Sequence, residues 1–392
     1  GLGDVYKRQT RCPVIDTRVP ADDYPPAERP QVVYLPQADT PAHERVVHGE
    51  LARRIAVLCG WDSAAPGAPA REGGPPRYIV PAATLDDPAE AARLGIRGET
   101  DLFGGVVPHP FVATKIITHD LVDDHAGAIA GWSGEFARRV APVVLNGYSV
   151  FSRADARRAG ERLLKDGEVR LKPACARGGR GQTVVRTAAE LEHALAAMEE
   201  SELAEGGLVL EENLEDVVTF SVGQLRLPGF VASYSGTQSL APDNRGEMVY
   251  GGSELHVVAG DFERLLALEL PPDVHRAVEH AWRYDQAASE CYAGFFASRR
   301  NYDVVQGRDA RGELRCGVLE QSWRIGGASG AEVAALEVLM QGDVDAVSAS
   351  VVERYGQDVS VPEGARVLFQ DNDRAVGPVT KYTVVKAYGN AE

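Results

Sequence analysis

The 392-residue chain corresponds to about two to three domains at roughly 150 residues each, enough to bury a sizeable core without disulfides or a structural metal. Its 57 Asp and Glu against 41 Lys and Arg leave a formal charge of −16. That excludes a general affinity for nucleic-acid phosphates, because repulsion acts at every approach, and any phosphate ligand needs a local basic pocket.

With 44% hydrophobic and 25% charged residues the composition is that of an ordinary globular protein. The five cysteines (Cys12, Cys59, Cys175, Cys291, Cys316) form no CxxC pair and are odd in number, so a reducing, cytoplasmic setting is expected. No apolar run approaches 18 residues and residues 1–9 hold no hydrophobic h-region, so neither a membrane span nor a signal peptide is expected. Residues 1–30, rich in Pro, Asp and Arg, are expected to be a disordered lead-in.

In chain order, QVVYL at 31–35 predicts a strand and the spacing of Val46, Val47, Leu51, Ile55 and Leu58 a helix over 43–61. RYIV at 77–80 predicts a second strand, followed by a helix over 86–94. Ser152 is suited to cap a helix over 153–165, residues 169–173 form a strand, and Thr187 with Glu190 makes the capping box of a helix reaching about Met198. Strands are expected at 207–211, 219–225 and 230–234, a long helix at 272–290, and a hairpin with arms at 302–306 and 314–321. Ser329 is expected to cap a helix running to about Met340, residues 344–355 to form the last helix, and strands at 366–370 and 380–387 to close the chain.

Two stretches carry chemistry. In VRLKPACARGGRGQTVV at 169–185 a strand delivers Lys172 into a loop with Gly178, Gly179, Gly181, Arg177 and Arg180. Glycines let backbone N–H groups approach phosphate oxygens and the cations supply a positive field, although neither a Walker loop nor GxGxxG is present. A Gly-rich hairpin turn with solvated arginines is the alternative for the loop alone. In the later hairpin, Asp303 and Glu320 are equidistant from a turn centred near Arg311 and Gly312, so the two carboxylates should face each other across the strands. Opposed carboxylates call for a cation, and Mg²⁺ is the natural one; the alternative is an exposed strand face whose charges never meet. Strand alternation then puts Ser322 and Arg324 on the same side.

Together these stretches resemble the ATP-grasp superfamily. Lys115 in ATKIITH and Lys172 look like its two phosphate lysines. VLEENL, through Glu211, Glu212 and Leu214, looks like its adenine-contacting hinge, and Asp303 with Glu320, Gln321, Ser322, Trp323 and Arg324 looks like its acid-plus-ExNxR metal signature, with Ser322 replacing Asn. The resemblance spans about residues 110–340 and is closest to an uncharacterised bacterial family within the superfamily. It implies an α/β and α+β fold with an N-terminal α/β domain (31–110), a central subdomain (111–225) and a C-terminal subdomain (226–392).

The resemblance also implies ATP and Mg²⁺ as cofactors. Lys115, Lys172, Gly178, Gly179, Gly181, Glu211, Glu212 and Leu214 would serve the nucleotide, Asp303, Glu320 and Ser322 the metal, and Arg324 the catalytic step. The implied reaction is activation of a small-molecule carboxylate as an acyl phosphate for attack by an amine or thiol. A kinase on the same scaffold and a non-catalytic nucleotide-binding protein are the competing readings.

Among weaker signals, His109, His119 and His125 cluster only in sequence, and no HxH or HExxH occurs, so no zinc site is expected. Cys175 is either an activated thiol or a small loop residue, Arg299 and Arg300 either phosphate contacts or a solvated strand end, and Tyr250–Gly252 either a substrate-facing loop or a plain turn.

Overall fold

The computed structural model describes residues 29–70, 73–174 and 181–387. The lead-in up to residue 28 lies outside the described residues, as do Cys175, Arg177, Gly178, Gly179 and Arg180.

The chain opens with β1 (Gln31–Leu35), α1 (Ala42–Cys59), β2 (Asp62–Ser63), β3 (Arg77–Pro81), α2 (Pro88–Arg93) and β4 (Gly105–Val106). The first three strands form a parallel sheet in the order β2-β1-β3. Then come α3 (Gly134–Val140), β5 (Gly147–Val150), α4 (Arg153–Leu163), β6 (Val169–Pro173), β7 (Thr183–Val185), α5 (Ala188–Ala196), α6 (Glu200–Gly206) and β8 (Leu208–Glu212). Here the sheet order is β5-β8-β6-β7, and α4 and α5 cover it through Ala156, Ala159, Leu191 and Leu195. Ser152 and Thr187 cap these helices as the sequence leads one to expect, each hydroxyl accepting the backbone N–H three residues on.

The remainder is β9 (Glu215–Leu227), β10 (Phe230–Pro242), β11 (Met248–Ala259), α7 (Phe262–Leu266), α8 (Pro272–Cys291), β12 (Phe296–Ala297), β13 (Arg299–Arg308), β14 (Leu314–Ser322), α9 (Ser329–Leu339), β15 (Ala346–Tyr355), β16 (Arg366–Asp373) and β17 (Gly377–Ala387). Eight of these strands make one sheet, β14-β13-β9-β10-β11-β15-β17-β16, while β12 pairs with β4. Residue 225, the expected junction between central and C-terminal subdomains, falls inside β9. Helix α8 packs on one face of the large sheet, and α9, with α1 behind it, on the other.

Two expectations are overturned. Residues 344–355 do not form a helix: Ala346–Tyr355 is a strand, lying between β11 and β17. The run Val347–Ser348–Ala349–Ser350–Val351 alternates apolar and polar residues with the period of a strand, and Val347, Ala349, Val351 and Glu353 are buried along one face. Ser329 is the first residue of α9 rather than its cap; its hydroxyl instead accepts the Gly326 N–H at 3.0 Å, bracing the preceding loop.

Candidate nucleotide and metal site

A single 3₁₀ turn, Lys115–Thr118, stands between the four-stranded and eight-stranded sheets. Gln321 of β14 fixes it: buried, it donates to the carbonyls of Val112 and Thr114 at 2.9 and 2.8 Å and accepts the Tyr284 hydroxyl at 2.9 Å. Thr118 adds a bond to the Leu319 carbonyl at 3.3 Å, and Ser149 of β5 donates to the Ile116 carbonyl from the other side. Held at both ends, the turn sends Lys115 toward the large sheet and His119, which follows it, toward the small one.

On the large sheet, Asp303 and Glu320 pair across β13 and β14. The pairing arises through a bulge: Val304 faces Val318, so Leu319 is an extra residue on β14, and bulges commonly re-aim side chains beside functional sites. Lys115 Nζ lies 2.9 Å from Glu320 Oε2, with the lysine buried and the glutamate half-exposed. Gln238 donates to Asp303 Oδ1 at 2.6 Å. Burial first, and then the adjacent Glu320 carboxylate, push the Asp303 carboxyl well above the usual carboxylate range.

Two acids against one lysine leave a local negative excess that suits a divalent cation, and carboxylate oxygen donors suit Mg²⁺. Among the described residues no cluster of three His, Cys, Asp or Glu side chains forms a closed metal cage. Ser322 does not fit the metal. Its hydroxyl and its carbonyl oxygen accept hydrogen bonds from Arg299 Nη1 at 3.2 and 3.1 Å, so a cation there would sit beside a guanidinium. Asp303 and Glu320 remain as the fitting pair.

Arg324 follows the end of β14, so strand alternation does not govern it; it is half-buried and Nη1 donates to the Ile325 carbonyl at 2.8 Å. Arg299 and Arg300 are buried and already partnered. Arg299 forms a fork with Glu332 at 2.6 and 3.1 Å, and Arg300 hydrogen-bonds Glu99 at 2.7 Å and lies in ion-pair contact with Asp285 at 3.0 Å. Neither is a solvated strand end; both are engaged by carboxylates.

In the small sheet, Lys172 Nζ lies 3.0 Å from Glu211 Oε1 while His119 Nε2 lies 3.2 Å from Glu211 Oε2. All three side chains are almost fully buried. Burial alone would raise the Glu211 pKa, but Lys172 and His119 outweigh it and hold the carboxyl down at about 2. Glu212 points elsewhere, accepting from Asn146 N–H at 2.9 Å and Arg315 at 3.2 Å. Leu214 is core, packed with Leu145 and Val305. The Gly-rich segment joins the antiparallel pair β6 and β7. At its end Gly181 (φ +70°) and Gln182 line a cleft of about 760 Å³, closed opposite by Asp243–Val249 and Ala375–Gly377. Tyr250 lies beside that wall, its hydroxyl 2.7 Å from Ser253 Oγ.

Sequence reasoning missed His119, Gln238 and Gln321 as site builders. His119 had one signal, its place four residues after Lys115, but a bend rather than a periodic element carries it. Gln321 lay at the variable position of the ExNxR-like segment, and Gln238 had no signal beyond its position on a strand.

Residues 32–383 match the model of a family described as "Protein of unknown function (DUF3182)". No curated protein sequence matches the chain. Among solved structures, biotin carboxylase from Campylobacter jejuni, in a β-γ-ATP complex, is similar over 92% of this chain and 88% of its own at 12% identity and a TM-score of 0.52. N5-carboxyaminoimidazole synthetase from Staphylococcus aureus, complexed with ADP, is similar over 92% and 94% at 11% identity and a TM-score of 0.52. Phosphoribosylamine–glycine ligase from Thermotoga maritima is similar over 91% and 92% at 13% identity and a TM-score of 0.50. These similarities show a fold of the ATP-grasp type, and the chain belongs to the DUF3182 family.

Proposed function

We propose that the protein is an ATP- and Mg²⁺-dependent ligase that activates a small-molecule carboxylate as an acyl phosphate for attack by an amine or a thiol. The observation that carries this reading is the one turn that joins Lys115 to the opposed Asp303–Glu320 carboxylates and, through His119, to the Glu211–Lys172 pair. Two of the structures it resembles hold an ATP-type nucleotide or ADP, which supports a nucleotide as the ligand.

Phosphoryl transfer needs positioning and charge neutralisation more than covalent help. Lys115 and Lys172 would bind phosphate oxygens, and Glu211, at the end of β8, would lie on the adenine side. The amides of the Gly-rich segment that ends at Gly181 would cover the phosphates and exclude water. Asp303 and Glu320 would hold Mg²⁺, which when bound supplies charge neutralisation on the phosphates. In the first step the substrate carboxylate oxygen bonds to the γ-phosphorus as the bond to ADP breaks. In the second, the amine nitrogen or thiol sulfur bonds to the acyl carbon, phosphate leaves with the C–O electron pair, and the acceptor loses its proton to solvent. Arg324 would stabilise the oxyanion formed in that second step.

The test is product analysis with Mg·ATP and a panel of acids paired with amines or thiols. ADP and phosphate released only when both acid and acceptor are present is the expected result. A phosphorylated product without free phosphate would make the protein a kinase, and nucleotide binding with no stimulated turnover would make it a binding protein.

A further inference from the structure

We propose that His119 is a positioning residue for the nucleotide: through Glu211 it sets the orientation in which Lys172 meets a phosphate. This rests on the nucleotide reading above and adds a residue to it. Glu211 is 2% exposed and its carboxyl is held at about 2, so it is ionised and can only accept. His119 Nε2, 3.2 Å away, therefore carries the proton of that hydrogen bond. With one Glu211 oxygen fixed by His119, the other is fixed where Lys172 Nζ meets it at 3.0 Å. An ammonium has three N–H donors; one spent on an immobile carboxylate oxygen sets the directions of the other two.

The slot for the imidazole is cut to size. A Cβ at Gly147 would lie 2.7 Å from the Leu210 carbonyl oxygen and 2.8 Å from His119 Cε1 and Nε2, closer than real Cβ contacts allow, so only glycine leaves room for the ring. Without His119 the Glu211 carboxylate would keep one buried oxygen unpaired and could rotate to take Lys172 with both oxygens. Lys172 would then be drawn back from the phosphate position. The same turn carries Lys115 to Glu320 at 2.9 Å, so His119 also ties the placement of one lysine to that of the other.

The test is titration of the folded full chain with Mg·ATP by calorimetry, alongside thermal melting. His119→Ala is expected to weaken binding roughly ten- to a hundredfold, the loss of one charge-assisted hydrogen bond. His119→Gln, whose amide nitrogen reaches the Nε2 position, should recover most of the affinity; His119→Asn, which reaches only the Nδ1 position, should not. In a Glu211→Gln background, His119→Ala should add little further loss, because its effect passes through the carboxylate. Equal rescue by Asn and Gln would overturn the proposal, as would full additivity of His119→Ala with Glu211→Gln; the comparison of Asn with Gln stands even if His119→Ala does not fold. A wild-type chain that binds Mg·ATP, with His119→Ala binding equally well, overturns this proposal alone. A wild-type chain that binds no nucleotide overturns the nucleotide reading with it.

Discussion

The candidate site contains two lysine–glutamate pairs of nearly equal length that are opposite in design. Lys172–Glu211 spans 3.0 Å with both partners buried, and His119 occupies the second carboxylate oxygen. Lys115–Glu320 spans 2.9 Å with a buried lysine but a glutamate side chain 32% exposed, and Asp303 faces the glutamate across the hairpin. The first set is closed, with its acceptor oxygens taken. The second has more negative than positive charge and opens to solvent. The difference teaches that the same pair of residue types can serve as a fixed scaffold or as a vacancy for a cation. What decides between them is the third residue, an imidazole in one case and a second carboxylate in the other.

Removing one partner of each pair should therefore separate them most. Lys172→Met leaves Glu211 buried without its main counter-charge, and breaking a buried pair in this way costs about 3–5 kcal/mol. Denaturant unfolding at pH 7 should show a loss of that size, with loss of nucleotide-dependent stabilisation. Glu320→Gln is the contrasting change. It removes the neighbour that, after burial, most raises the Asp303 pKa, while Lys115 keeps Asp303 within its field. Stability without metal should stay within about 1 kcal/mol of wild type, whereas stabilisation by Mg·ATP should disappear. A large loss in Glu320→Gln, or none in Lys172→Met, would erase the distinction between the two sets.

The closed set also makes a pH prediction of intermediate size. The Glu211 pKa is lowered from 4.5 to about 2 in the fold, so its contribution is present above about pH 4.5 and is lost as pH falls toward 2. On the order of 3 kcal/mol of acid-labile stability follows from that shift. Between pH 5 and pH 2.5 the wild type should lose about that much more than Glu211→Gln in chemical denaturation; parallel curves would show that Glu211 is not held ionised by its neighbours.

How far the two sets were legible in the sequence differs in the same way. The open set could be read by counting: hairpin arms around Gly312 bring Asp303 and Glu320 into register because strand pairing is periodic and local. Even there the count succeeds through the bulge at Leu319, and alternation fails at Arg324 because β14 has already ended. The closed set could be read only in part. Lys172 and Glu211 lie on recognisable strands, but His119 arrives from a bend between two sheets, and no periodicity connects residue 119 to residue 211. For β15 the local signal was present in the alternation Val347–Ser348–Ala349–Ser350–Val351, but it breaks at Val352, and pairing with β11 and β17 settles its state.

The smallest expected effect concerns Ser322, the one position where the ExNxR-like segment departs from the pattern it resembles. Its hydroxyl is engaged by Arg299, which also holds Glu332 and thereby the Tyr234 hydroxyl at 2.6 Å. Ser322→Ala removes one hydrogen bond of a guanidinium that keeps its two bonds to Glu332 and one to the Ser322 carbonyl, so the cost should be about 1 kcal/mol or less. If Ser322 were a metal ligand, the Mg²⁺ concentration needed for half-maximal nucleotide-dependent stabilisation would rise in the alanine variant. If it belongs to the Arg299 network, that concentration stays unchanged while melting falls slightly. On the proposed reading the open set would then hold its cation with Asp303 and Glu320, and Ser322, which departs from the pattern, serves the Arg299–Glu332 network.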